Sequence, residues 1–166
     1  MKQLPKLISK VEQEPNSYAD AQSIALNALA PRARSRSELH DHLIKRGFDE
    51  ATSAAVLDNL ELQGLLNDLE FARAWSESRQ RQKKLSKRTI AQELRTKGVA
   101  ADIIEDVISE IDLDVEYQMA FDLAERKYRS CSHLDSEVIY RRVHSVLARK
   151  GFDHSLTNRI LRELLP

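Results

Sequence analysis

Apolar residues along this chain recur at helical spacing, and the same pattern occurs three times. Leu39 and Leu43, Ile90 and Leu94, and Val143 and Leu147 each stand one turn apart. Four residues after each second member comes a glycine: Gly47, Gly98 and Gly151. Nine, ten and thirteen residues beyond each glycine the apolar positions resume, as Val56, Leu57 and Leu60, then Val107, Ile108 and Ile111, then Ile160, Leu161 and Leu164. Spacings of three and four on both sides of a stop predict amphipathic helix, tight turn, amphipathic helix. A further apolar stripe precedes each pair. It is clearest in Tyr117, Ala120, Phe121, Ala124 and Tyr128, and it is matched by Phe71, Ala72 and Trp75 and by Ala21, Ile24, Ala25 and Ala28. Each unit is therefore three helices in about 50 residues, a size that gains stability by stacking on its neighbours.

The glycines predict how the second helix of each unit ends. Glycine accepts a left-handed backbone without steric penalty. With Gly47 just past the helix end, Leu43 and Phe48 take the two positions that touch in a Schellman cap. Leu94 with Val99 and Leu147 with Phe152 repeat the pairing about Gly98 and Gly151. The cation before each glycine (Arg46, Lys97, Lys150) sits where the negative end of the helix dipole favours it. Among helix starts, Ser17, Ser35 or Ser37, Asn67 or Asp68, and Ser86 are candidate caps, and Asp49 and Asp153 suit the helices after the turns. Ala100 leaves the middle unit to use Asp102 or to go uncapped. Arg129 to Asp135 is expected to be a longer, looped link.

The expected fold is thus all-α: three tandem three-helix repeats in an elongated array. The repeats span 17–66, 67–112 and 113–166, behind a flexible arm at 1–16. Hydrophobic residues make up 42% of the 166, enough for narrow helix stripes but not for one deep core. No apolar run approaches the roughly 20 residues that span a bilayer, and the start of the chain lacks the apolar segment of a secretory signal. A cytoplasmic location is expected.

Charge changes the picture. The totals balance, 26 basic against 26 acidic residues, yet the charges are segregated. Ser78 to Lys97 carries eight cations and one acid, whereas Gly98 to Glu125 carries nine acids and no lysine or arginine. Residues 32 to 46 and 126 to 150 are basic, and 49 to 70 are acidic. Such blocks are either a solvated surface in which basic helices pair with acidic ones, or a basic track for nucleic-acid phosphates opposed by an acidic face. Arg79 to Arg88, with six cations in ten residues, is the strongest candidate for a track.

Catalytic chemistry finds no foothold, so no enzyme activity, cofactor or metal is expected. Cys131 is the single cysteine, and His133 beside it has no second ligand nearby. His40 and His42 point to different sides of a helix, and His144 and His154 are isolated in sequence. Phosphate-binding glycine loops, zinc motifs and nucleophile elbows are absent. Trp75, at helical spacing from Phe71, reads as core.

Gly64-Leu65-Leu66-Asn67-Asp68, Phe71-Ala72, Trp75, Arg79, Ser86-Lys87-Arg88 and Glu93 to Val99 together resemble the central signature of the RecX regulatory proteins. Arg34 to Leu39, Arg46-Gly47-Phe48 and Arg149-Lys150-Gly151-Phe152 agree in the flanking units. One departure is Lys84-Leu85, where many members place a glycine. The resemblance implies a curved, elongated monomer that modulates the RecA recombinase, generally inhibiting its ATPase, strand-exchange and co-protease activities from the groove of the RecA–DNA filament. DNA repair, recombination and the SOS response would be its setting. The partners implied are the RecA filament and single-stranded and double-stranded DNA. The cations expected to face them are Arg79, Arg81, Lys83, Lys84, Lys87, Arg88, Arg141 and Arg142. The alternative is a stand-alone helical-repeat DNA-binding protein of helix-turn-helix type, against which stand the acidic third helices of the first two units.

Overall fold

A computed structural model describes residues 17–165; the expected arm at 1–16 lies outside the described residues. The described residues form nine α-helices and no strand: α1 Tyr18–Leu29, α2 Arg36–Lys45, α3 Glu50–Leu62, α4 Asp68–Ser78, α5 Lys87–Thr96, α6 Ala101–Ser109, α7 Leu113–Cys131, α8 Ser136–Arg149 and α9 His154–Leu164. Helix α4 runs directly into a π-helical turn, Arg79–Lys83. The helices pack in threes, α1–α3, α4–α6 and α7–α9, and every extensive helix–helix contact lies within one trio. Three separate apolar clusters result. The array is elongated because each core is closed by its own three helices.

The Schellman spacing appears as expected, three times. Phe48, Val99 and Phe152 donate their N–H groups to the carbonyls of Leu43, Leu94 and Leu147 at 3.2–3.3 Å. The three leucines are fully buried; each such side chain contributes roughly 1.5–3 kcal/mol of burial. Gly47, Gly98 and Gly151 all have positive φ. Ser35 caps α2 in a full capping box with Glu38, Asn67 caps α4, and Ser86 caps α5. Asp49 and Asp153 cap α3 and α9, while α6 starts at Ala100 without a side-chain cap.

The link expected over Arg129 to Asp135 is shorter than its sequence suggests. Helix α7 continues through Cys131, because Cys131 is fully buried in the third core and Tyr128, one turn earlier, packs against the same cluster. Only Ser132 to Asp135 lies between the helices.

Neighbouring units meet at joints that use equivalent residues twice. At the first joint, the Ser35 hydroxyl donates to the carbonyl of Lys97, and the Lys97 ammonium donates to Glu38 Oε1 at 2.7 Å. The Arg36 N–H donates to Asp68 Oδ1 at 2.7 Å. At the second joint, the Ser86 N–H and the Thr89 hydroxyl donate to the carbonyl of Lys150 at 3.0 and 3.3 Å. The Lys150 ammonium donates to the carbonyl of Lys83 at 2.6 Å, and the Lys87 N–H to Glu116 Oε1 at 2.8 Å. In both joints the glycine turn of one unit covers the start of the second helix of the unit before it. A Cβ on Gly98 would overlap Ser37, and one on Gly151 would overlap the Thr89 hydroxyl.

Candidate nucleic-acid interface

The basic run divides into cations that hold the fold and cations that do not. Arg79 is structural. Its guanidinium lies 3.8 Å from the centre of the Trp75 ring and donates to Glu93 Oε2 at 2.6 Å. Trp75 donates its indole N–H to the same carboxylate oxygen, and Lys97 covers the ring at 4.1 Å. Trp75 therefore packs against the middle core, as its spacing suggested, with two cations over its ring, and Arg79 is held by the fold rather than free to face outward. Lys87 is also engaged: its ammonium lies 3.9 Å from the carboxylate of buried Glu116 at the second joint.

Arg81, Lys83, Lys84 and Arg88 are exposed, and none of them is in an ion pair with a carboxylate of the described residues. The chain reaches this arrangement through a local irregularity. The π-turn adds a residue to the helix, and Lys84 ends it in the left-handed region at φ 54°. Lys84 is the one described non-glycine residue with positive φ. The position where a glycine was expected thus keeps a glycine-like backbone with a lysine side chain, at roughly 1–2 kcal/mol of strain.

Helix α7 lies opposite this turn. Between them runs a groove of about 680 Å³, with Val115, Met119 and Leu123 along α7, the cations Arg81, Lys84 and Arg126, and the acids Glu77 and Asp122 among its lining. Lys127, next along α7, belongs to a second depression, of about 490 Å³, shared with Arg141, Arg142 and Arg149 of α8. At the second joint Lys150, the residue after Arg149, donates to the carbonyl of Lys83, so the two basic blocks touch at that point. Arg141 and Arg142 are exposed on α8.

Part of the acidic blocks is taken up by lateral pairing, the first of the two readings of the charge pattern: three of the nine acids between Gly98 and Glu125 are in ion pairs. Arg73 bonds to Glu110 at 2.7 Å, and Arg36 to Asp58 at 2.7 Å. Glu38 is held below its ordinary pKa: burial opposes ionisation, but the hydrogen bond and charge of Lys97 outweigh it. Asp68 is pushed up, chiefly by burial, against the pull of the Arg36 N–H. Glu105 and Asp106 are exposed on α6.

The histidines correct one expectation. His144 and His154 are not isolated: their ring nitrogens lie 3.4 Å apart, and Tyr140 stacks on His144. Helices α8 and α9 bring them together across the glycine turn. His40 meets Glu50 at 2.9 Å. Among the described residues no group of three or more His, Cys, Asp or Glu is placed to hold a metal, and no helix is long and apolar enough to cross a membrane.

Models of the first, second and third three-helix domains of RecX match residues 21–60, 67–108 and 114–161 in that order. The chain belongs to the RecX family. It is 39% identical to "Regulatory protein RecX" of Streptomyces lividans over 156 residues, 94% of this chain and 83% of that one. To the protein of the same name from Mycobacterium avium it is 40% identical, covering 86% of this chain and 83% of the relative. The crystal structure of RecX from Lactobacillus salivarius shares the fold at a TM-score of 0.81 and 23% identity, covering 89% of this chain and 96% of that one. The family's three-domain order thus coincides with the three trios of helices, and its members carry the name of regulatory proteins.

Sequence reasoning missed Lys127 and Arg149. Arg149 was absorbed into the turn cassette and Lys127 into a block total. The signal was available: Arg141, Arg142 and Arg149 follow one another at offsets of one and seven residues, placing them along one side of α8 beside the buried stripe of Ile139, Val143 and Leu147.

Proposed function

We propose that this chain regulates the RecA recombinase, mainly as an inhibitor, by binding the groove of the RecA–DNA filament in the cytoplasm. It acts as a monomer and by binding rather than catalysis, modulating ATP hydrolysis, strand exchange and co-protease activity in DNA repair and the SOS response. The observation that carries the DNA half of this reading is the set of exposed cations Arg81, Lys83, Lys84 and Arg88, none of them in an ion pair among the described residues, with exposed Arg141 and Arg142 on the following unit. Unrelieved positive charge of this density favours a polyanion. Single-stranded DNA within the filament is the partner it suits, with duplex DNA as a secondary one. The RecA half rests on family membership, and the exposed acids of α6 supply a surface of opposite sign for a protein contact.

The test is to reverse Arg81, Lys83, Lys84 and Arg88 to glutamate. All four are exposed, so helix content should be retained. Affinity for single-stranded DNA should fall, its salt slope should drop by about 0.7 per lost phosphate contact, and inhibition of DNA-dependent ATP hydrolysis by RecA should be lost. A folded quadruple variant that inhibits as well as the parent protein would refute the role of this surface.

A further inference from the structure

Seven residues before and three after the turn glycines stand His40 with Glu50, Ala91 with Ala101, and His144 with His154. In the first and third units these side chains meet across the turn: His40 reaches Glu50 at 2.9 Å, and His144 Nε2 lies 3.4 Å from His154 Nδ1. The repeat folds with three different pairs at this place, so the glycine turn does not need the two histidines. As a hydrogen bond between neutral rings, 3.4 Å on a solvent-facing edge is long and contributes little. The rings are nevertheless held in place. Tyr140, one turn before His144, stacks on its ring at 6.0 Å between centres, and the Tyr140 hydroxyl donates to Oδ1 of Asn158, one turn after His154, at 3.2 Å.

We infer that His144 and His154 form a surface site for a divalent transition metal, zinc first, which clasps α8 to α9 across the Gly151 turn. Neutral imidazole is a ligand suited to zinc, and the pair offers no carboxylate to attract magnesium or calcium. The spacing fits as well. Two nitrogens about 2.0–2.1 Å from a tetrahedral ion stand about 3.3–3.4 Å apart, whereas coordination at a right angle brings them to about 2.9 Å. The observed 3.4 Å is the tetrahedral value. The ion bonds Nε2 of His144 and Nδ1 of His154, and water completes its shell. The ring that donates in the free pair moves its proton to its other nitrogen, so a neutral pair binds without net proton release. Two features oppose a cation here: exposed Arg141 stands one turn before His144, and His154 opens α9, at the positive end of its dipole. With two protein ligands the site is therefore exchangeable, weaker than the four-ligand sites that hold structural zinc. Neither DNA nor RecA enters this inference, which stands apart from the regulatory reading.

The test uses the untagged full chain, freed of metal and titrated with zinc, cobalt(II) and magnesium salts. Calorimetry should show zinc binding that magnesium does not reproduce, and cobalt(II) should give the intense visible bands of a tetrahedral ion. A ligand counts for at least as much as the groups that support it, so His144→Gln and His154→Gln should each weaken zinc binding by about ten-fold or more. His40→Gln, at the equivalent place in the first unit, should leave it unchanged. Excess zinc should raise the melting midpoint of the parent protein, and that rise should vanish in both third-unit variants. A measurement on the parent protein alone guards against a variant that fails to fold: zinc should shift the ring proton resonances of His144 and His154 ahead of those of His40, His42 and His133. Zinc affinity unchanged in both third-unit variants overturns the site. So does an octahedral cobalt spectrum, equal binding of magnesium, or a zinc titration that moves the other histidines first.

Discussion

Replacing Gly151 by alanine separates two reasons for a glycine in the same turn. Gly151 has φ +85°, and an added Cβ would overlap the hydroxyl of Thr89 and lie 2.7 Å from that of Ser86. Gly64, at the end of α3, has φ +69° and nothing within 4 Å of its would-be Cβ. Both substitutions force alanine into the left-handed region, at roughly 1–2 kcal/mol, and both recover about 0.4–1 kcal/mol from the stiffer unfolded chain. Gly64→Ala should therefore destabilise by about 1 kcal/mol. Gly151→Ala must in addition displace Thr89, whose β-branched side chain has few alternative rotamers. That breaks the bond from Thr89 to the Lys150 carbonyl, about 1 kcal/mol, and brings overpacking of about 1 kcal/mol or more. The expected total is about 3 kcal/mol, some 2 above the control. Urea unfolding followed by helix circular dichroism reads the difference as a shift in midpoint. A broadened transition for Gly151→Ala would show the third unit uncoupling from the second, as expected of a serial array. Adding Thr89→Ala should recover about 1 kcal/mol in a double-mutant cycle. Equal destabilisation at Gly151 and Gly64, within about 0.5 kcal/mol, would show that the second joint adds nothing to folding.

Two further outcomes follow from single positions. Lys84→Gly should leave stability unchanged or raise it by up to about 1 kcal/mol, because the relief of left-handed strain outweighs the added chain entropy; destabilisation beyond about 1 kcal/mol, read from the urea midpoint, would contradict the φ of 54°. Glu38→Gln should destabilise by about 2 kcal/mol at pH 7, by leaving partly buried Lys97 without its anionic partner. The folded-state pKa of Glu38 lies below the ordinary value of 4.5, so its stabilisation is present above that pH and is lost as pH falls through the folded value. The gap between parent and variant should accordingly shrink below pH 4.5. A gap independent of pH, measured by thermal melts from pH 7 to 3, would mean the loss arises from something other than the charge.

The fold was legible because its signals are local. Leu43, Gly47 and Phe48 are neighbours in sequence, and the cap they form needs nothing from elsewhere. The same holds for Ser35 with Glu38 and for the stripes that give the three cores. What stayed hidden depends on contacts between units. Lys97 and Lys150 suit the helix dipole, but their ammonium groups leave their own helices to reach Glu38 and the carbonyl of Lys83. Arg79 looked like any other cation of its run until Trp75 and Glu93 were seen on either side of it. The extent of α7 was hidden for a related reason, since Cys131 gives little sequence signal but is fully buried.

Lateral pairing accounts for part of the charge blocks, and the joints are where much of it occurs. A cation near a joint or between the helices of one unit meets an acid from a neighbouring block, and the pairing holds the array in register. Arg73 with Glu110 and Lys97 with Glu38 are of this kind. The exposed cations without an ion pair among the described residues are Lys45 and Arg46 on the first unit, Arg81, Lys83, Lys84, Arg88 and Arg95 on the middle one, and Arg126, Arg141, Arg142, Arg149 and Arg162 on the third. The run Arg81 to Arg88 is the densest of these, and there each added cation repels the rest. Lys84 makes the point at one residue, because glycine fits its backbone better and would carry no charge. If phosphate binding is what justifies a lysine there, Lys84→Gly should trade stability for affinity, giving a protein at least as stable whose salt slope on single-stranded DNA is lower by about 0.7. A variant that gains stability and keeps the full slope would leave the strained lysine without a function in DNA binding.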